Sequence, residues 1–128
     1  MVKITSRNLH QLGGPIVLKA GRHKGPHRGF GVRHIWAERG RELTKYGYPT
    51  IHDVAVYVAS IIANKASIMC EFNGMGSNQR LIVMKGRAGC VILEGFNIPN
   101  DSQQLMYSVV TAFKGKNPEG QIVGTVQT

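Results

Sequence analysis

Apolar positions along the chain change period once, and the change separates a helical first half from a stranded second half. Ile51, Val54, Ala55, Val58, Ile61 and Ile62 recur at spacings of three and four, which predicts a helix over 50–64 that packs one stripe on a core. Pro49-Thr50 supplies its entry and N-cap, with Asp53 three residues on in a capping-box-like position. Upstream, Ile35, Trp36, Leu43 and Tyr46 form the apolar side of a helix over 32–46, with Gly47 as its C-terminal cap and Gly40 as a candidate break. His34, Glu38, Arg41 and Lys45, spaced 4, 3 and 4, share its polar side. From residue 66 the pattern shortens into strands over 66–72, 80–85, 90–94, 105–113 and 121–126, separated by Gly-, Asn- and Pro-rich turns. Ile16-Val17-Leu18 adds one short strand. Helices first and a meander afterwards predict an α+β fold, with the helices on one face of a twisted antiparallel sheet. Residues 1–14, ending in Leu12-Gly13-Gly14-Pro15, read as a linker or N-terminal arm, and 15–128 as one domain.

Composition supports a real core. Of 128 residues, 42% are apolar and 18% charged, too apolar for a disordered basic tail. The longest apolar stretch, Val54–Ala63, is half the roughly 20 residues of a membrane helix, so no span is expected. Met1–Thr5 opens no apolar run, and no signal peptide is expected.

Charge changes the picture. Sixteen Lys+Arg against seven Asp+Glu leave +9, and eight of the sixteen cations lie between Lys19 and Lys45. The segment Gly21–Gly31 is cationic, free of acids and too dense in Gly and Pro for regular structure to be expected. Such a patch suits a polyanion. No Lys-Ser/Thr ending makes it a Walker-type phosphate loop, and neither helix joins a cationic face to a broad aromatic one as a membrane-surface helix would.

His34 stands out among candidate chemical groups, because it opens a helix directly after Gly29-Phe30-Gly31 with Arg33 beside it. An imidazole there can titrate near neutrality and transfer protons; a helix-start histidine with no chemistry is the alternative. His23 and His27 lie in the cationic loop, suited to substrate contact, and His52 to the surface. Cys70 and Cys90 sit in apolar runs as buried thiols, with a disulfide as the alternative. No histidine lies at metal-ligand spacing from either cysteine, so neither metal nor cofactor is expected. Along 105–113, alternation places Tyr107, Val109, Thr111 and Phe113 on one face.

The order Gly29-Phe30-Gly31-Val32-Arg33-His34-Ile35, a second helix, then a late strand Tyr107-Ser108-Val109-Val110-Thr111-Ala112-Phe113 resembles the barnase/EndoU/colicin/RelE-like (BECR) superfamily. It resembles especially the C-terminal toxin domains of contact-dependent growth inhibition proteins, over roughly residues 14–127. The resemblance implies a metal-independent ribonuclease toxin cutting RNA, transfer RNA in many members, by attack of the ribose 2′-hydroxyl. It implies export as the C-terminal domain of a larger bacterial protein, action in the target cell's cytoplasm, and neutralisation by a cognate acidic immunity protein. On these positions His34 would transfer protons, Thr111 would bond the scissile phosphate, and Tyr107 would position a ribose or base. Lys114, Arg33 and Arg39 would supply phosphate charge, and Arg22, His23, Lys24, His27 and Arg28 would hold flanking phosphates. One departure matters: relatives with a His-Ile-x-x-x-His arrangement have a second histidine where this chain has Arg39. The rival reading is a non-catalytic basic RNA-binding module, which shares the charge but has no use for a helix-start histidine.

Overall fold

The computed structural model describes residues 2–4, 15–26, 28–63, 66–70, 80–85, 88–98, 101–114 and 121–126. Short connections between β-branched runs put three strands side by side at its centre: β6 (Arg80–Lys85), β7 (Gly89–Ile98) and β8 (Asp101–Phe113), all antiparallel. The seven-stranded sheet adds β5 (Ser67–Cys70), β9 (Gln121–Val126) and β1 (Val2–Ile4) on one side and β2 (Ile16–Val17) on the other, in the order β1-β9-β5-β6-β7-β8-β2. Every pairing is antiparallel except β2 with β8. The α+β expectation holds. Within the expected N-terminal arm, Val2–Ile4 pairs with Val126–Gly124 as an edge strand, while residues 1 and 5–14 lie outside the described residues.

Two helices, α1 (Gly31–Lys45) and α2 (Asp53–Ile61), cover one face of the sheet. Period-2 alternation sends Leu81, Val83, Val91, Leu93, Tyr107, Val109 and Ala112 to that face, where they join Ile35, Leu43, Val54, Tyr57, Val58 and Ile61 in one buried cluster. Each large aliphatic side chain there is worth about 1.5–3 kcal/mol relative to exposure. Thr50 donates both its N–H and its hydroxyl to the Asp53 carboxylate, at 2.9 and 2.8 Å, so Asp53 rather than Thr50 acts as the acceptor that tightens the turn before α2. Gly40 does not break α1; it packs under Trp36, whose ring would lie 3.2 Å from any Cβ added there.

A bulge corrects the face expected on β8. Leu93 pairs with Val109 but Ile92 pairs with Thr111, so Val110 is the extra residue and the alternation changes parity. Tyr107 and Val109 stay on the helix-covered face with Ala112, whereas Thr111 lies on the face of its partner Ile92. Thr111 and Tyr107 therefore do not line one cleft.

Register also decides the cysteines. Cys70 pairs with Leu81 and Cys90 with Met84, on the two strands that flank β6 and three residues apart along it. That places their Cα atoms about 14 Å apart, twice the reach of a disulfide. Cys90 is buried, and burial pushes its thiol pKa up.

Candidate functional site

The segment expected to be irregular folds as a two-stranded ribbon, β3 (Arg22–Gly25) with β4 (Arg28–Phe30), that leads straight into α1. Glycines make this possible. Gly21 and Gly31, at φ +76° and +80°, cross so closely that a Cβ on Gly31 would lie 2.4 Å from the Lys19 carbonyl oxygen. Val32 and Arg33 donate their N–H groups to the carbonyls of Lys19 and Ala20, at 2.9 and 2.8 Å. Two N–H groups in the first turn of α1 are thus satisfied by backbone, and among the described residues no side chain caps it.

This junction brings two histidines together. His34, expected on the polar side of α1, is instead only 4% exposed, with Ile35 next to it fully buried. Its Nδ1 lies 3.1 Å from Nδ1 of His23, and the two rings meet edge to edge, with planes 27° apart and centroids 5.3 Å apart. One proton serves that contact: one ring donates and the other accepts. His23 is the exposed member of the pair. Gly29 makes room for it, because a Cβ there would lie 2.8 Å from His34 Nδ1. Glu38, one helical turn beyond His34, brings its carboxylate to the same place: one ligand-type atom each from His23, His34 and Glu38 lie within 4.8 Å of one another. Glu38 belongs to the site although the sequence reading left it out; its i, i+4 spacing from His34 was the available signal.

Beside the pair opens a cleft of about 320 Å³ between the ribbon and the sheet. Lys19, Lys24, Gly29 and Phe30 line one wall, and Glu94, Gly95, Ser108 and Val110 the other. Gly29 borders both the cleft and the histidine pair. Arg22, Arg28 and Arg33 are exposed on β3, β4 and α1, while His27 lies outside the described residues.

Other expected site residues stand elsewhere. Tyr107 is fully buried, paired with Ile16 and Gly95, and its N–H donates to Pro15 at 2.8 Å. A side chain without accessible surface cannot position a ribose; Tyr107 is core. Ser108, beside it on the other face, reaches the cleft instead. Arg39 pairs with Glu42 at 3.5 Å and lays its guanidinium 5.4 Å over the Phe113 ring. Lys114 holds its ammonium 4.0 Å over the Tyr46 ring. Tyr46 is twelve residues past His34, about 18 Å along the helix axis, so Lys114 does not join the histidine pair.

No protein-family model, no curated protein and no solved structure matches the chain. The family resemblance therefore rests on the sequence motifs, and the chemistry on the site itself.

Proposed function

We propose that the chain is a ribonuclease whose proton-transfer unit is the His23–His34 pair. The observation that carries the reading is the 3.1 Å contact between a buried and an exposed imidazole, which Gly29 joins to a cleft lined by Lys19, Lys24 and Glu94. Burial moves direct contact with RNA from His34 to His23. His34, held by α1, fixes the tautomer and orientation of the outer ring, much as a second group orients any catalytic imidazole. The nitrogen of His23 that faces away from His34 then takes the ribose 2′-hydroxyl proton or delivers one to the leaving 5′-oxygen. Lys19 and Lys24 supply positive charge for the phosphorane oxygens, and the Ser108 hydroxyl supplies a donor. Arg22, Arg28 and Arg33 extend the cationic surface along which flanking phosphates run. Lys114, over Tyr46 at the far end of α1, contributes at most to distant phosphates, and Arg39 is engaged by Glu42 and the Phe113 ring.

The toxin reading rests on the resemblance, and the cationic surface is what it would require. An RNA-cutting domain inside a bacterium needs a specific inhibitor, and a positive cleft selects an acidic one. An immunity protein would set Asp or Glu side chains against Arg28, Arg33 and the cleft lysines. Incubation of the purified chain with transfer RNA and with single-stranded DNA, both in chelator, tests the activity. RNA fragments ending in 2′,3′-cyclic phosphate with intact DNA are expected, because the attack needs the 2′-hydroxyl. RNA that is bound but never cut overturns this reading in favour of a binding module.

A further inference from the structure

We propose that His23, His34 and Glu38 form a binding site for one divalent transition-metal ion, with zinc the best match. Three ligand-type atoms, one from each residue, already lie within 4.8 Å of one another. Two of the residues face each other Nδ1 to Nδ1 at 3.1 Å. A tetrahedral zinc ion with Zn–N bonds of about 2.0–2.1 Å sets its ligand nitrogens about 3.3 Å apart, so the pair stands close to the spacing a shared ion requires. His34 and Glu38 come from successive turns of one helix, and His23 from the ribbon packed on it. The third wall is glycine: any Cβ at Gly29 would crowd His34 Nδ1 to 2.8 Å, so no larger residue fits beside that nitrogen without moving it.

The donor set decides the kind of ion. Two imidazoles and one carboxylate suit zinc and its first-row neighbours, whereas magnesium and calcium take oxygen ligands. Three protein ligands leave a fourth tetrahedral position for water. The hydrogen bond between the rings is the metal-free form of the same pair. On binding, the shared proton leaves Nδ1 for the other nitrogen of its ring, and both Nδ1 lone pairs turn to the ion. A consequence for activity rests on the ribonuclease reading: with both lone pairs on the metal, His34 no longer governs the tautomer of His23, and the occupied site is silent in RNA cleavage.

Calorimetric titration of zinc into the full chain, first stripped with chelator and dialysed, tests the site without RNA, and cobalt substitution reports coordination by absorption. One ion per chain is expected, with a tetrahedral cobalt spectrum. His23→Gln and Glu38→Gln, both checked for native circular dichroism, should each weaken binding at least about tenfold. Absence of binding by the wild-type chain, or wild-type affinity in either folded variant, overturns the proposal, the latter because the ion then sits on other side chains. Cleavage assays at one equivalent of zinc, then with excess chelator, test the consequence. Loss and recovery of cleavage support it; full cleavage by the zinc-loaded chain contradicts it. One-to-one binding that both variants abolish, in a chain that cuts no RNA under any condition, supports the site and counts against the ribonuclease instead.

Discussion

Gly29 and Gly25 share nearly the same φ, +139° and +136°, in completely different surroundings. A Cβ on Gly25 meets nothing within 4 Å; one on Gly29 would lie 2.2 Å from the Arg22 carbonyl oxygen and 2.8 Å from His34 Nδ1. Alanine at the two positions therefore separates the cost of conformation from the cost of contact. Both variants bear the strain of a left-handed backbone, about 1–3 kcal/mol. Gly29→Ala must also move β4 about 1 Å from β3 to bring the contact to normal range. That displacement opens the pairing of His23 with Gly29, at about 0.5–1.5 kcal/mol per backbone bond lost, and pushes the His34 ring away from His23. We expect Gly29→Ala to be less stable than Gly25→Ala by about 1–3 kcal/mol in urea unfolding followed by Trp36 fluorescence, Trp36 being the single tryptophan. RNA cleavage should fall by about 10²-fold or more in Gly29→Ala and stay within a few-fold in Gly25→Ala. Equal stability of the two variants, or undiminished cleavage by Gly29→Ala, would refute the account of the ribbon as the scaffold of the histidine pair.

Three further outcomes are expected. Burial first, and then nearby Tyr46 and Glu42, push the Tyr57 phenol from 10.0 to about 12, so the folded chain keeps a proton that the unfolded chain loses above pH 10. Stability should fall as pH rises from 10 to 12, by order of 2 kcal/mol from this group, and Tyr57→Phe should remove that part of the alkaline loss; an identical pH profile in the variant contradicts it. Neutralising Arg22, Lys24 and Arg28 together should lower the slope of log K against log salt for single-stranded RNA by about 2, at roughly 0.7 per contact; an unchanged slope means the ribbon faces away from RNA. Cys90 should resist iodoacetamide at neutral pH and react on unfolding, because burial both raises its pKa and blocks access; alkylation of the native chain at the rate of a short peptide contradicts the burial.

The helices and most strands were legible because their apolar spacing reports a buried face directly. The stripe through Val54, Val58 and Ile61 and the alternation through Leu81 and Val83 both lead into the observed core. The ribbon was not legible: Gly and Pro density in 21–31 signals turns, and nothing local says that two stretches of three to four residues will pair across one of them. The place of His34 was also misread, since its 4, 3 and 4 spacing to Glu38, Arg41 and Lys45 marks a polar stripe, whereas tertiary packing of the ribbon buries the stripe's first member. A single bulged residue, Val110, was enough to put Thr111 and Tyr107 on opposite faces, and no sequence signal marks it. His34 itself was found from its position at a helix start; its partner His23 was placed only as a phosphate contact, because eleven residues of sequence separate rings that the fold brings into contact.

The most direct measurement is the cleavage rate of a defined transfer RNA by the wild-type chain, His23→Ala and His34→Ala, in chelator, with the fold of each verified by circular dichroism. The account predicts cyclic-phosphate products from the wild type, losses of about 10²-fold or more in each variant, and little further loss in the double variant, since the two rings act as one unit. Wild-type rates in either well-folded variant, or no cleavage by the wild-type chain, would contradict it.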